Sequence, residues 1–396
     1  MIQRKKLGEI ANISAGQGAP QGAENYSEEG APFVKAGDLF DLVNGKHECN
    51  IQKVSEQVAK KHRLKLYPKG TVLFAKSGMS CMKGYVYATN AECYVVSHLA
   101  CIMPFDVDSK YLKYYFEYHK PNQLVKDASY PSISLADIAE MPINIFDDQT
   151  EAKIVDNLDA VNSLIAKSKE ELGLLDNIVK SRFVEMFGTY PNNPMKWETG
   201  RIRDIVEDVR YGSSRPAVEG GKYPYLRMNN ITYGGELDLT DTKHIDVPES
   251  ELEKCTVRRG DVLFNRTNSK ELVGKTCVYN RDEMMVLAGF VIRVRVTERV
   301  LPEFLSAFLN TDFSKQMLLG MCKAAIGQAN INAQELQDIG LYLPPVELQY
   351  QFVRFKAEVD KSKFRIQKSL SIGRKLWTMV RIDAIMNMDF STQRSL

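Results

Sequence analysis

The chain has 396 residues, of which 44% are hydrophobic and 26% charged, an ordinary composition for a globular protein of two or three domains. Its net charge of +2 is low for a nucleic-acid binder, no apolar stretch approaches the ~18–20 residues of a membrane span, and the N-terminus lacks a signal-peptide segment. Seven cysteines without a CxxC pair predict a reducing cytoplasm, and the lack of an apolar span predicts no membrane partner.

The sequence contains the same pattern of motifs twice. The matched motifs, in chain order, are 7–16 and 202–212, 32–35 and 224–227, 70–74 and 260–264, and 133–138 and 331–336. Gly70 and Gly260 lie 190 positions apart (260 minus 70), whereas the last pair is shifted by 198 (331 minus 133), so the insertions differ between the copies. A duplicated frame with different loops predicts two modules that do one job on two different ligands.

The front part of each copy is predicted to be mixed α/β. The strand-like apolar runs are 71–74, 85–87, 95–102, 262–264 and 290–296. One short helix is expected in each copy, at 111–119 and at 302–310, where Pro302 suits the first turn.

Each copy also carries a basic run at the same place. Residues 60–85 contain seven Lys or Arg and no acid, and residues 258–275 contain five against two acids. A single charge run usually marks a solvated face. Its recurrence at matched positions instead indicates phosphate binding.

Two long helices are predicted behind the front parts, over 148–188 and from 346 onward, because apolar residues recur there at steps of three and four. Asp147 or Asp148 can cap the first helix and Gly188 can end it. A helix of about 37 residues is roughly 55 Å long. The stripe residues are Leu158, Val161, Ile165, Leu172, Leu175, Phe355, Val359 and Ile366.

An apolar stripe on a long helix needs a partner. We expect the two helices to pack as an antiparallel coiled coil that holds the two front domains apart, related by a pseudo-two-fold axis. The alternative is that each helix packs only on its own domain.

No motif in the sequence predicts catalysis. Glu151 and Lys153 have the spacing of half a nuclease motif, but without a preceding acid we interpret them as a surface ion pair. Cys93, His98 and Cys101 match no common zinc-ligand spacing and predict buried strand cysteines beside a satisfied histidine.

The duplicated Gly-x-Val-Leu-Phe segments, the paired start motifs and the Pro-Pro entry at 343–347 resemble the specificity (S) subunit of Type I restriction–modification systems. The resemblance covers nearly the whole chain and implies an α+β fold with two tandem mixed α/β target recognition domains. The implied organisation is a first target recognition domain over 1–147, a spacer helix over 148–188, a second target recognition domain over 189–345, and a second spacer helix with a C-terminal tail over 346–396.

The resemblance also implies the function. Each target recognition domain would read one half of a bipartite site on double-stranded DNA, and the helices would set the spacing and dock two modification subunits. This chain would be non-catalytic and bind no cofactor. S-adenosylmethionine would bind to the modification subunits, and restriction subunits would add cleavage with ATP and Mg. Two domains on one face of the duplex would touch it about one helical turn apart, ~34–36 Å.

The candidate DNA contacts follow the repeated apolar run. Arg266 and Asn268 are favoured for base edges, and Lys76, Lys83 and Lys275 for phosphates. The full candidate set is Lys76, Ser77, Lys83, Arg215, Arg266, Thr267, Asn268, Lys270 and Lys275. Polar turns at 16–18 and 212–215, interpreted as flexible, are further candidates.

Two alternatives stay open at this point. One is a non-catalytic scaffold whose duplicated modules bind proteins, against which the matched basic runs argue. The other is a stand-alone modification or cleavage enzyme, which would need cofactor and catalytic motifs that the sequence does not display.

Overall fold

The computed structural model describes residues 3–269, 272–322 and 329–386, apart from the side chains of 268, 329 and 380–386. The chain divides into unit 1, formed by Met1–Lys167 with Leu370–Leu396, and unit 2, formed by Ser168–Ser369. Within the described residues, no helix combines the length and the apolar character that crossing a bilayer requires.

Unit 1 combines short strands and helices, as its apolar runs predict. Its strands are β1 (Gln3–Lys6), β2 (Ala11–Ala15), β3 (Ala31–Val34), β4 (Lys53–Val54), β5 (Val72–Ala75), β6 (Val86–Ala88), β7 (Tyr94–Val95), β8 (Leu99–Pro104) and β9 (Pro142–Ile145). Its helices are α1 (Asp38–Val43), α2 (Glu56–Lys61), α3 (Ser109–Tyr118), α4 (Leu135–Ala139) and the first half of α5 (Asp148–Phe187).

The core of unit 1 forms around the antiparallel sheet β2-β8-β5-β6. Helix α3 packs on this sheet, with the rings of Phe74 and Phe116 centred 5.1 Å apart. The prediction of one continuous strand over 95–102 is wrong. The chain turns between β7 and β8, where the N–H of Leu99 donates to the carbonyl of Val96 at 3.0 Å. The two halves of the run therefore join different sheets, β7 pairing with β3 and β8 with β2 and β5.

Unit 2 contains the corresponding elements of the second copy. Its strands are β10 (Glu198–Arg201), β11 (Val206–Tyr211), β12 (Tyr223–Leu226), β13 (Lys243–Ile245), β14 (Thr256–Val257), β15 (Val262–Asn265), β16 (Thr267–Asn268), β17 (Thr276–Val278), β18 (Met285–Leu287), β19 (Val291–Val296), β20 (Ala329–Asn330) and β21 (Gly340–Leu343). Its helices are α6 (Glu249–Cys255), α7 (Pro302–Leu309), α8 (Asp312–Met321), α9 (Ala333–Gln337) and most of α10 (Val346–Met386).

The internal repeat of the sequence reappears in the sheet topology. The order β2-β8-β5-β6 of unit 1 recurs as β11-β19-β15-β17 in unit 2, and β4-β3-β7 recurs as β13-β12-β18, with β14 added. The repeated Gly70 and Gly260 have φ angles of +85° and +91°, which only glycine adopts without strain. Their N–H groups donate to the carbonyls of Thr89 and Tyr279, so the motif forms the same tight turn before β5 and β15.

The ends of helix α5 follow from local chemistry. The N–H of Thr150 donates to Oδ1 of Asp147 at 3.0 Å, so Asp147 caps the helix, and the hydrogen bonds from Thr150 lower the pKa of the Asp147 carboxyl. Gly188 follows the last turn with a φ of +82°, which suits a helix C-terminus. Helix α10 begins at Val346, directly after the two prolines.

Helices α5 and α10 pack against each other, antiparallel as predicted. In unit 2 the rings of Phe183 and Phe352 are centred 5.3 Å apart, and Lys363 forms an ion pair with Asp176. Along α5 the contact at Asp176 comes before the contact at Phe183, whereas along α10 the contact at Lys363 comes after the contact at Phe352. The two helices therefore run in opposite directions. Phe183 also lies 5.3 Å from Phe304 of α7, so the helices pack on the mixed α/β part of unit 2 as well as on each other.

The predicted stripe residues are withdrawn from solvent. The buried ones are Leu158 and Val359, and the half-buried ones are Val161, Ile165, Leu172, Leu175, Phe355 and Ile366. The early turns of α5 also contact α3 through an ion pair of 2.6 Å between Lys110 and Asp159 and through Asn162, which donates to the hydroxyl of Tyr114 at 3.1 Å. The long helices therefore pack both on each other and on the mixed α/β parts, the two possibilities that the sequence left open.

Glu151 attaches α5 to unit 1 from inside the protein. Its side chain is only 4% exposed, and its carboxylate accepts the backbone N–H of Asp108, just before α3, at 3.1 Å and that of Phe146 at 3.4 Å. The interpretation of Glu151 as half of a surface ion pair with Lys153 is therefore wrong. Two backbone donors need an acceptor where the long helix enters the fold, and the carboxylate supplies it.

Gln349 occupies the same place at the start of α10. Its Oε1 accepts the N–H of Leu301, just before α7, at 2.8 Å, and its Nε2 donates to the carbonyl of Pro344 at 2.8 Å. Pro344 stands where unit 1 has Phe146, and a proline has no N–H to donate. An amide that both accepts and donates therefore replaces the carboxylate in the second copy.

We predict that Glu151→Gln changes how stability depends on pH. Burial raises the pKa of the Glu151 carboxyl above its ordinary value of 4.5, so the folded state binds this proton more tightly than the unfolded chain. The resulting stabilisation is fully present below pH 4.5 and is lost as the pH rises through the folded-state pKa. Urea unfolding from about pH 4 to about pH 7 should show wild-type stability falling relative to Glu151→Gln.

The control for this measurement is Lys153→Gln, which changes an exposed side chain two residues further along the same helix. It should leave the pH dependence unchanged. A difference between wild type and Glu151→Gln that stays constant, or that grows in favour of the wild type as the pH rises, contradicts the assignment of a buried, proton-retaining carboxyl.

Candidate nucleic-acid interface

Four chain segments of unit 1 meet at one edge of the β2-β8-β5-β6 sheet through backbone hydrogen bonds. The N–H of Gly16 donates to Leu99 at 3.1 Å, that of Lys76 to His98 at 2.9 Å, and that of Ile133 to Lys76 at 2.8 Å. We call the four segments around Gly16, Lys76, His98 and Ile133 junction 1. The bonds on both sides of Lys76 fix its backbone at the point where the basic run leaves the sheet.

Unit 2 repeats this arrangement bond for bond. The N–H of Gly212 donates to Val291 at 3.3 Å, that of Arg266 to Phe290 at 3.0 Å, and that of Ile331 to Arg266 at 2.9 Å. We call the segments around Gly212, Arg266, Phe290 and Ile331 junction 2. The two junctions share a backbone frame but present different side chains on it, as expected of two binding modules with different ligands.

The glycine of each start motif is required by a close backbone approach. A Cβ at Gly16 would overlap the carbonyl oxygens of Val95 and Val96, and a Cβ at Gly212 would overlap that of Leu287. The interpretation of these two positions as flexible turns is therefore wrong. Each glycine packs directly against the backbone of a neighbouring strand, and this close contact places the start motif in the junction.

The side chains of junction 1 combine two lysines with a histidine–serine pair. Lys76 is half-buried and Lys83 is exposed, and neither ammonium group bonds to a described residue. Oγ of Ser77 lies 2.9 Å from Nδ1 of His98, whose imidazole is exposed. Lys76 and Ser77 thus lie together at the junction with His98, whose ring nitrogen is satisfied by Ser77, while Lys83 ends the helical turn 79–83 that follows.

A second loop completes the surface of junction 1, and sequence reasoning assigned no role to it. Residues 126–132 come alongside the basic run, where the N–H of Gly78 donates to the carbonyl of Pro131 at 3.0 Å. Tyr130 on this loop is 83% exposed. The sequence signal that could have located this loop is the repeated motif 133–138, because the loop ends where that motif begins.

Arg266 is the central side chain of junction 2. Its guanidinium carbon lies 4.8 Å from the centre of the Tyr211 ring, a distance that permits a cation–π interaction. The hydroxyl of Tyr211 accepts the backbone N–H of Ala333 at 2.8 Å. The ring and the guanidinium therefore form one ordered group at the edge of the sheet.

The other candidates on this loop are placed differently. Thr267 is buried, and its hydroxyl donates to Oδ1 of Asn330 at 3.4 Å while β16 pairs with β20. Thr267 thus links the two loops of junction 2 instead of facing solvent. The side chain of Asn268 and the whole of Lys270 lie outside the described residues.

The prediction of a phosphate contact at Lys275 conflicts with its position. Lys275 is 7% exposed, its ammonium group donates to the carbonyl of Met228 at 2.8 Å, and burial lowers its pKa. A buried ammonium that already serves a backbone carbonyl supports the fold of unit 2. Lys83, its counterpart by sequence, remains on the surface of unit 1.

Arg215 is exposed, but it is already paired. Its Nη2 donates to Oε1 of Glu251 at 2.7 Å, and this hydrogen bond to Glu251 raises the pKa of the Arg215 guanidinium. A phosphate at this position would have to compete with the carboxylate. Exposed pairs of this kind contribute little to stability, so such an exchange is energetically accessible.

The cysteine and histidine side chains near junction 1 are not arranged as a metal site. Among the described residues, no group of three or more His, Cys, Asp or Glu side chains could hold a metal ion. Cys93 and Cys101 are buried as predicted, and burial raises the pKa of the Cys101 thiol to about 12. Nδ1 of His98 is 2.9 Å from Oγ of Ser77, so this ring nitrogen is already hydrogen-bonded.

Sequence comparison identifies a family match in both halves of the chain. The match is to the type I restriction modification DNA specificity domain, over residues 2–174 and 194–372. The chain is 30% identical over 262 residues to the type I restriction enzyme MjaIX specificity subunit of Methanocaldococcus jannaschii, covering 60% of each protein. It is 26% identical over 185 residues to the EcoKI specificity subunit of Escherichia coli K12, covering 46% of this chain and 40% of that one. The chain thus spans about half the length of these relatives.

Structure comparison finds the same fold in solved proteins. The S subunit of a Type I restriction–modification system from M. genitalium aligns with a TM-score of 0.55 at 12% identity, covering 97% of this chain and 96% of that one. A chain from work on the assembly and conformational transition of the type I R-M system aligns with a TM-score of 0.57 at 16% identity, covering 97% of both. At such identities these likenesses establish the fold.

We predict that Gly16→Ala destabilises unit 1 by about 3 kcal/mol, because the added methyl group forces the start motif away from the strand that it crosses. Gly212→Ala should have a similar effect in unit 2. The matched control is Gly18→Ala, where the added methyl group meets no atom within 4 Å and the change should stay within about 1 kcal/mol. Chemical unfolding measures both effects, and equal shifts for the Gly16 and Gly18 variants contradict the close-approach account.

Proposed function

The chain belongs to the type I restriction modification DNA specificity family, and from that premise we propose that it recognises a bipartite target on double-stranded DNA. The observation that carries the proposal is the repeated junction. Two identical backbone frames present Lys76 and His98 in one unit and Arg266 and Phe290 in the other. A frame held constant while its exposed side chains change is suited to reading two different short sequences.

In the proposed mechanism each unit reads one block of the target. Lys76 and Lys83 contact phosphates and position unit 1, while Ser77 and His98 face base edges. In unit 2, Arg266 is the base-reading side chain. Because the two junctions carry different side chains, the two blocks differ and the site is asymmetric. Helices α5 and α10 set the length of the unread spacer between them.

The partners in this proposal are two modification subunits and, in a complete system, restriction subunits. Several large apolar side chains remain exposed on the two long helices, and in this proposal a protein partner covers them. These residues are Leu164, Leu174, Ile178, Phe364 and Met379. The complex would work in the cytoplasm, which agrees with seven free cysteines.

We propose that this chain contributes recognition and that catalysis takes place in its partners. S-adenosylmethionine would bind to the modification subunits, and ATP and Mg would bind to the restriction subunits. The names of the relatives as specificity subunits support this division. The alternative, a scaffold that binds only proteins, shares the exposed helix residues but requires no affinity for DNA.

We predict salt-dependent binding of the full chain, alone or with its modification subunit, to duplex DNA. Lys83→Ala should weaken binding to all duplex sequences and reduce the slope of log affinity against log salt by about 1, because one phosphate contact is lost. Fluorescence anisotropy across a salt series measures both quantities. Lys153→Ala, which removes an exposed charge from α5, is the control and should leave the slope unchanged. Absence of duplex binding at low salt contradicts the proposed function and favours the scaffold.

A further inference from the structure

We propose that Tyr211 is a positioning residue that holds Arg266 ready to read a guanine in the DNA block recognised by unit 2. This inference rests on the proposed function and names the base that junction 2 selects. The evidence is the way in which the backbone, the ring and the unpaired edge of the guanidinium are arranged.

The first step is the fixed origin of the Arg266 side chain. Its N–H donates to Phe290 at 3.0 Å and its carbonyl accepts from Ile331 at 2.9 Å, so the backbone is held from both sides. A side chain that starts from a fixed backbone loses less conformational entropy when it binds a ligand. The same pair of bonds holds Lys76 in junction 1, so the frame alone does not create the specificity.

The second step is the fixed ring beneath the guanidinium. Tyr211 ends strand β11, where it is paired with Ile292 of β19, and its hydroxyl accepts the N–H of Ala333 in the first turn of α9. The ring is thus held both at its backbone and at its hydroxyl. It remains 43% exposed, and the guanidinium lies 4.8 Å from its centre. A guanidinium held over a fixed ring has fewer directions in which its donors can point.

The third step is the state of the hydrogen-bond donors. Arg215, Arg259, Arg293 and Arg295 of the same unit each pair with a carboxylate. The guanidinium of Arg266 makes no ion pair or hydrogen bond to a described residue, and its Nε is buried. With Nε shielded, the two terminal nitrogens are the donors left for a ligand. The side chain is therefore oriented, and no described residue occupies its terminal donors.

The geometry selects guanine among the bases. Two parallel N–H donors of one guanidinium match O6 and N7 of guanine in the major groove, which are both acceptors. Adenine presents one acceptor and one donor at the same edge, so a fork of two donors cannot pair with it in this way. A phosphate also accepts two hydrogen bonds from arginine, and the experiment below separates these two ligands.

Junction 1 provides a comparison inside the same chain. The position that matches Tyr211 is Ala15, which offers no ring, and the position that matches Arg266 is Lys76, which has no planar fork. An arginine held over a ring is therefore present at junction 2 and absent from the matched positions of junction 1. Its loss should affect one block of the target and leave the other unchanged.

The test uses the complex of the full chain with its modification subunit and a duplex that carries the methylated target found with that complex. Each guanine of the block read by unit 2 is replaced in turn by 7-deazaguanine, which lacks the N7 acceptor. We expect one replacement to weaken wild-type binding by about 10-fold. The same replacement should have almost no effect on Arg266→Lys or Tyr211→Leu, because the fork is absent or no longer oriented. Tyr211→Phe, which keeps the ring, should recover most of the discrimination.

Arg259→Ala is the control for removing one positive charge, since Arg259 is exposed and paired with Asp282. It should keep the wild-type response to 7-deazaguanine. Urea unfolding of each variant reports whether it is folded. If Tyr211→Leu does not fold, Tyr211→Phe and Arg266→Lys still decide the proposal by their responses to the modified base.

Three results overturn the inference while leaving the proposed function intact. One is a wild-type complex that methylates a bipartite site but is insensitive to every 7-deazaguanine in this block. Another is Tyr211→Leu with undiminished discrimination. The third is a loss for Arg266→Lys that is equal across all sequences, which identifies a phosphate contact. A wild-type complex that recognises no DNA sequence instead removes the proposed function, and the inference with it.

Discussion

The structure depends on one repeated constraint, a residue bonded through its backbone on both sides at the point where a basic run leaves the sheet. In unit 1 this residue is Lys76 and in unit 2 it is Arg266. The bonds join four segments that are far apart in sequence, so they fix the loops that carry the exposed side chains. Because backbone groups make these bonds, the frame tolerates almost any side chain at either position.

This separation of frame and side chain explains how one fold can serve two specificities. The residues that the frame needs are glycines at close approaches and a left-handed turn, such as Gly16 and Gly70. The residues that face outward differ between the copies. Lys275 shows where the comparison between the two copies fails, because the ammonium group of this residue in the second basic run donates to the carbonyl of Met228. Matched position therefore predicts shared backbone and leaves the role of each side chain to its own contacts.

The sequence predicted the parts of the molecule that depend on short-range patterns. The two long helices and the segments that form the junctions follow from periodicity and repetition, whereas Gly16 and Gly212 were predicted in flexible turns and are instead held by close backbone contacts. The burial of Lys275, the internal role of Glu151 and the exposure of His98 could not be predicted. Each depends on a contact with a residue at least 21 positions away, as with His98 and Ser77. The loop around Tyr130 was missed because it carries no charge pattern of its own.

The central claim is that each junction reads its own block of one target. The most direct measurement is a genome-wide map of N6-methyladenine after co-expression with the modification subunit in a methylation-free host, for the wild type and for a Lys76→Ala, His98→Ala double variant. The account predicts two unlike blocks at a fixed spacing for the wild type, with only one block relaxed in the variant. A single continuous block, or a variant in which both blocks change, would contradict it.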